Sequence, residues 1–151
     1  MASVKGNDSL RIYVVALWAL LGMFCLRVLG QLLVAAFSIS FLPPMEEWYS
    51  GVIAYPRLLL SQIVIIFIYS KVCIDFTRGQ GFFVLPRKIL GRPLVIFGSL
   101  YFGVMVIRYV IRMSLYAPER WTGGSIPIFF HWVLSIFILV LVTYHWSRTR
   151  G

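Results

Sequence analysis

The chain has 151 residues, of which 60% are hydrophobic and 13% charged, and its mean hydropathy is +0.88. Such a composition excludes an ordinary soluble domain and is typical of a polytopic membrane protein. The net charge of +9 does not indicate nucleic-acid binding, because the basic residues lie in the connections between apolar segments, where they mark membrane topology.

Four apolar segments follow one another along the chain. A helix needs about 20 mostly apolar residues to span a bilayer, and the segments predict helices over about residues 12–37, 57–73, 93–113 and 126–146. Pro43 and Pro44 close the first segment, and Pro93 suits the first turn of the third helix. Short connections join consecutive helices, so we expect an all-α fold: one domain over residues 1–151, built as an antiparallel integral membrane bundle of four helices.

The connections give a predicted orientation. The connection after the first helix holds Glu46 and Glu47 among aromatic residues that are typical of the membrane surface. The connection after the second helix carries four basic residues, and its one acid is Asp75. Because positive charge favours the cytoplasmic side, we predict that this connection and both termini lie in the cytoplasm of a bacterium, with the bundle in the inner membrane.

Each predicted helix carries a strongly polar side chain in its outer half. At about 1.5 Å of rise per residue, these side chains lie about 5–15 Å below the outer helix ends. Polar groups inside a membrane are costly and usually face protein or water, so a set at one depth predicts a shared site that opens outward. The members of this set, called the polar layer below, are Arg27, Gln31, Gln62, Arg108 and His131.

The donors of the polar layer favour an anion, because a guanidinium group presents a planar fork of donors to a carboxylate or phosphate. Structural interpretations stay open: Arg108 and Gln31 can extend to the lipid headgroups, and Gln62 can bond to a neighbouring helix. Glu46 and Glu47 are candidate counter-ions for the arginines. A lipid phosphate or an acidic residue of a partner subunit would serve equally well.

Catalysis has little support in the sequence, so whether the protein is an enzyme stays open, and we favour a non-catalytic role. No predicted span contains an acid, and no triad order, Gly-rich phosphate loop or metal-ligand cluster is present. His131 and His145 are 14 positions apart on the fourth predicted helix, on nearly the same face. Either histidine could ligate a haem or a chlorophyll-type pigment, but paired ligation of two haems needs four histidines and the chain has two. We therefore predict no cofactor and no metal.

The leading hypothesis is a small membrane protein that binds an anionic ligand or lipid headgroup at the polar layer. The alternative is an accessory subunit of a larger respiratory, photosynthetic or transport complex, in which Arg27 pairs with a partner chain. A third hypothesis is a haem- or pigment-binding electron-transfer subunit. The predicted partners are membrane lipids and, in the alternative, other membrane subunits or a second copy of the chain.

Overall fold

The computed structural model describes residues 2–37, 39, 41–48, 53–85, 88–115 and 125–149. These residues contain no strand, which confirms the all-α prediction. Four of the helices are long and apolar enough to cross a membrane, as expected of an integral membrane protein. The helices are α1 (Ala2–Phe37), the short α2 (Met45–Trp48), α3 (Tyr55–Arg78), α4 (Lys88–Leu115) and α5 (Ser125–Thr149).

The helices extend beyond the ends that hydropathy predicted. α1 begins at Ala2, and α3 continues past residue 73, so Asp75 lies on a helix and not in a connection. α4 begins at Lys88, which places Pro93 inside the helix. The sequence predicted Pro93 in the first turn, and this prediction is wrong. Hydropathy marks where side chains become polar, whereas a helix continues wherever its backbone hydrogen bonds remain satisfied.

α1 and α5 form the centre of the packing. α1 contacts both α3 and α5, whereas α4 packs on α5 alone within the described part of the chain. α1 and α3 run in opposite directions. Trp18 Nε1 donates to Thr77 Oγ1 over 2.9 Å near the end of α3, whereas Gln31, farther along α1, meets Gln62 near its start.

α5 also runs opposite to α1. Tyr13, early in α1, packs edge-on against Tyr144, late in α5, with 5.3 Å between ring centroids. Arg27, late in α1, lies over Phe130, early in α5. α3 and α5 therefore run in the same direction, both pack on α1, and they meet through aromatic side chains such as Tyr69 and Phe137.

Two clusters of buried apolar side chains join α1, α3 and α5. The larger cluster lies towards the end where Trp18 meets Thr77, and it is centred on Leu17, Leu21, Val72, Phe76 and Phe137. The second cluster lies nearer the polar layer and consists of Phe24, Val28, Val133 and Leu134. The polar layer thus lies at the end of the helices that the larger cluster does not fill.

Candidate functional site: the polar layer

α1 and α3 bring two amide side chains of the polar layer together. Gln31 and Gln62 are 0% and 3% exposed, and Gln62 Nε2 donates to Gln31 Oε1 over 3.0 Å. Buried polar groups need such partners, and a hydrogen bond between two membrane helices also fixes their register. Arg27 lies one helical turn before Gln31, on the same face of α1.

Arg27 is the charged residue at the centre of the site. It is 7% exposed, its Nη2 donates to the backbone carbonyl of Trp48 over 2.9 Å, and its guanidinium carbon lies 5.6 Å from the centroid of the Phe130 ring. Both partners are neutral. The ion pair found among the described residues joins Lys71 and Asp75 near the opposite end of the helices. The described part of the chain therefore gives Arg27 no carboxylate.

α2 covers Arg27. This short helix packs on both α1 and α5. Its Trp48 is 8% exposed and donates from Nε1 to the Pro43 carbonyl over 2.9 Å. The indole lies so close to Gly30 that a Cβ there would stand 2.7 Å from Cη2, so the approach requires glycine. The sequence marked Trp48 only as a surface aromatic and missed its role in bringing an acceptor to Arg27.

The two candidate counter-ions lie on α2 as well. Glu46 is exposed and Glu47 is half-buried. Neither forms an ion pair with Arg27 within the described residues, where the Trp48 carbonyl is the acceptor. Their role as counter-ions stays a prediction.

α4 and α5 bring the other two members of the layer to the same end. The Tyr101 hydroxyl and His131 Nδ1 share a hydrogen bond, which links α4 to α5, and His131 is half-buried. The charges of both Arg27 and Arg108 act on the His131 imidazole. Arg108 itself is exposed. The structure thus groups Arg27, Gln31 and Gln62 in the interior, with His131 beside them and Arg108 at the surface.

Several buried polar atoms around Arg27 have no hydrogen-bond partner within the described part of the chain. They are Arg27 Nε, Gln31 Nε2, Gln62 Oε1 and Tyr55 Oη. The Tyr55 hydroxyl is close enough to Arg27 for the two groups to interact electrostatically. Either orientation of the glutamine amides leaves one amide nitrogen and one amide oxygen unpaired. Unpaired buried polar groups are rare and costly, and three of these four can donate whereas Gln62 Oε1 can only accept, so unpaired donors are in excess among the described residues.

A second polar cluster, which the sequence did not predict, lies near the opposite end of the helices. Asp75 is 3% exposed and accepts hydrogen bonds from Lys71 Nζ and from the Phe83 backbone N–H (3.4 Å). His145 is 2% exposed and lies near the Phe83 backbone, and its Nδ1 has no hydrogen-bond partner among the described residues. The expectation that no span contains an acid is therefore wrong. The extra turn of α3 includes Asp75, and Lys71, four residues earlier on the same face, compensates its charge.

The two histidines are far apart. Their 14 positions correspond to about 21 Å along α5, and the His131 imidazole shares a hydrogen bond with the Tyr101 hydroxyl. Among the described residues, no three His, Cys, Asp or Glu side chains form a group that could hold a metal ion. Ligation of a haem or pigment by either histidine stays a hypothesis.

Comparisons with protein-family models, with curated protein sequences and with solved structures gave no significant match. The functional argument therefore depends on the geometry around Arg27.

Proposed function

We propose that the protein binds an anionic group at the polar layer and has no catalytic machinery of its own. The proposal includes the wider setting: an antiparallel four-helix bundle in a bacterial inner membrane, with both termini in the cytoplasm and the polar layer in the outer half. The ligand would accept hydrogen bonds inside the layer from Arg27 and Gln31, with Gln62 and His131 beside it. Arg108, exposed at the same end, would attract the anion electrostatically.

The observation that supports this proposal is the environment of Arg27. Within the described part of the chain, the ionised guanidinium is 93% buried with a carbonyl and an aromatic ring as partners, and these do not supply the opposite charge that a buried cation requires. A carboxylate or phosphate would supply the opposite charge and the acceptor for Nε. Because guanidinium donors lie in a planar fork, the ligand would be held in a defined orientation.

The test is a binding measurement on purified protein in a neutral maltoside detergent, with phosphatidylglycerol, phosphatidylcholine and inorganic phosphate as probes. Arg27→Gln removes the charge and keeps an amide donor. Hydrogen bonds to charged groups contribute about 1.5–3 kcal/mol each, so anion affinity should fall roughly 10- to 100-fold at about 1.4 kcal/mol per tenfold. The matched control is Arg78→Gln, which removes an exposed arginine from the last turn of α3, at the opposite end, and should bind as the wild type does.

Three results would contradict the proposal. One is equal affinity of the wild-type protein for the anionic and zwitterionic probes. Another is anion affinity that Arg27→Gln and Arg108→Ala both leave unchanged. An equal loss in Arg27→Gln and Arg78→Gln would indicate a general effect of net charge and would also count against a site at Arg27.

A second candidate function, a subunit of a larger membrane complex, draws support from α4. Within the described part of the chain this helix packs on α5 alone, and Ile96, Leu100 and Ile107 are each more than half exposed. Purification in mild detergent tests this function. A membrane partner that co-purifies stoichiometrically with the wild type, and not with Leu100→Arg, supports it. A protein that purifies with lipid alone supports the binding function.

A further inference from the structure

α3 and α4 follow one another along the chain but do not pack together. α3 packs on α1, α4 packs on α5, and no Cα atom of α3 approaches a Cα atom of α4 within 8 Å among the described residues. α3 reaches α5 only through side chains: Tyr69 stacks on Phe137 with 3.8 Å between centroids, and its hydroxyl donates to the Leu134 carbonyl over 3.1 Å. The backbones of α3 and α4 are thus separated along their length.

Side chains from both helices border this separation. Leu59, Ile66 and Tyr69 of α3 and Tyr101 of α4 are each partly buried, and all pack against the same apolar cluster as Phe130 of α5. Side chains of α3 and α4 therefore pack against one shared cluster on α1 and α5, although the two helices make no close backbone contact among the described residues. We call the space bordered by these five residues the α3–α4 gap.

The gap and the polar layer meet at Phe130 and Tyr101. Phe130 borders the gap and carries the Arg27 guanidinium over its ring. Tyr101 borders the gap and is hydrogen-bonded to His131. α2 packs on α1 and α5 and brings the Trp48 carbonyl to Arg27, whereas no close backbone contact between α3 and α4 closes the other side within the described residues.

We propose that the ligand of the polar layer is an anionic phospholipid, with its phosphate at Arg27 and an acyl chain in the α3–α4 gap. This inference rests on the proposed function and narrows it to one class of ligand. Two features favour a lipid over a water-soluble anion. The borders of the gap are apolar, which suits hydrocarbon, and the one buried charge beside them is a cation without a described carboxylate partner.

The charge and the gap are separable contributions to binding. The charge selects an anionic headgroup over a zwitterionic one. The gap accounts for affinity that depends on the acyl chain, because each methylene group buried adds to binding. A soluble headgroup without chains would retain only the first contribution.

The experiment uses the full chain in neutral detergent and three probes: dioleoyl phosphatidylglycerol, dioleoyl phosphatidylcholine and soluble glycerophosphoglycerol. Ile66→Trp places a large ring at the border of the gap. Ile68→Trp makes the same exchange on the same helix at a side chain that is 50% exposed, and serves as the matched control. Lipids retained in native mass spectrometry and the shift in thermal unfolding report binding.

We expect phosphatidylglycerol to bind at least about tenfold more tightly than the other two probes, a difference of about 1.4 kcal/mol. The affinity for phosphatidylglycerol should fall about tenfold in Ile66→Trp and stay unchanged in Ile68→Trp. Arg27→Gln should bind phosphatidylglycerol and phosphatidylcholine alike. If Ile66→Trp does not fold, phosphatidylglycerol with a photoreactive group on its acyl chain tests the wild type directly, and it should label α3 and α4 at the gap-facing residues.

The outcomes separate this inference from the proposed function. If glycerophosphoglycerol binds as tightly as phosphatidylglycerol, or if acyl-chain labels appear only on outward-facing residues, the lipid in the gap is refuted and the anion site stands. If Ile66→Trp and Ile68→Trp bind phosphatidylglycerol equally well, the acyl chain of the lipid does not lie in the α3–α4 gap. If no anionic probe is preferred over phosphatidylcholine, both proposals are wrong.

Discussion

Exchange of Gly30 for alanine tests whether the contact between α1 and α2 holds the acceptor of Arg27 in place. The added methyl group would stand 2.7 Å from Trp48 Cη2 and 3.2 Å from Cζ3, where ordinary carbon contacts are about 3.5–4.0 Å. Trp48 is 8% exposed and held at two points, by its Nε1 bond to Pro43 and by the bond from Arg27 to its carbonyl. The ring must therefore move by about 1 Å against these bonds to restore an ordinary carbon contact.

Two effects of the exchange oppose each other. Alanine is favoured over glycine inside a helix by about 1 kcal/mol, whereas overpacking costs about 1–3 kcal/mol. Gly22 gives the matched control, because it lies on the same helix as Gly30 and a Cβ added there would meet nothing within 4 Å. Gly22→Ala should be neutral or stabilising, and Gly30→Ala should be less stable than Gly22→Ala by about 1–3 kcal/mol.

The assay is equilibrium unfolding in mixed micelles, together with binding of phosphatidylglycerol. Trp48→Phe shortens the ring, so the double variant Gly30→Ala/Trp48→Phe should be more stable than the sum of the two single changes predicts. The coupling free energy between the two substitutions is the informative quantity. It distinguishes the stability regained when the clash is relieved from the stability lost when the indole is removed. Equal stability of Gly30→Ala and Gly22→Ala would refute the proposed packing of Trp48 on α1.

Two further predictions follow from the polar contacts at either end. Asp75→Asn should lower the free energy of unfolding by about 1–2 kcal/mol through weaker bonds to Lys71 and Phe83, whereas Lys71→Gln should cost about 0.5 kcal/mol because Lys71 is exposed. An equal cost for both exchanges would exclude a separate role for the Phe83 contact. Gln62→Leu should destabilise by about 1–2 kcal/mol by leaving Gln31 unpaired, and leucine at both positions should recover most of that loss. Both are measured by equilibrium unfolding, and a double variant no more stable than Gln62→Leu would argue against a direct amide pair.

Hydropathy predicted the four long helices because a bilayer leaves the backbone little alternative to helix. Hydropathy predicted the ends of the helices less accurately. The apolar run predicts a helix end at residue 73 and places Asp75 in the connection, yet the i, i+4 relation to Lys71 allows α3 to carry the acid into the packed interior. A local pairing rule therefore outweighs the average polarity of the stretch at this point.

The polar layer was predicted in part, because depth along a helix can be computed from residue number. Gln31 and Gln62 form a hydrogen bond, which agrees with their expected depths, and Arg27 is buried one helical turn before Gln31 on α1. The residues that complete the site were missed for a different reason. Trp48 contacts Arg27 because the chain folds back through α2, and such a contact depends on the tertiary path and leaves no periodic signal in the sequence.

The two polar clusters differ in a way that distinguishes a structural contact from a candidate binding site. At one end, the Asp75 carboxylate accepts hydrogen bonds from Lys71 Nζ and from the Phe83 N–H. Its charge is therefore compensated, and its oxygens have donors, within the chain. At the other end, Arg27 has no carboxylate partner and one unused donor among the residues that the structure describes. A charge that served only stability would be expected to have its counter-charge in the same chain, because removing the group or pairing it costs less than burying it alone. The incomplete compensation of Arg27 is thus the reason to look for a ligand there and not at Asp75.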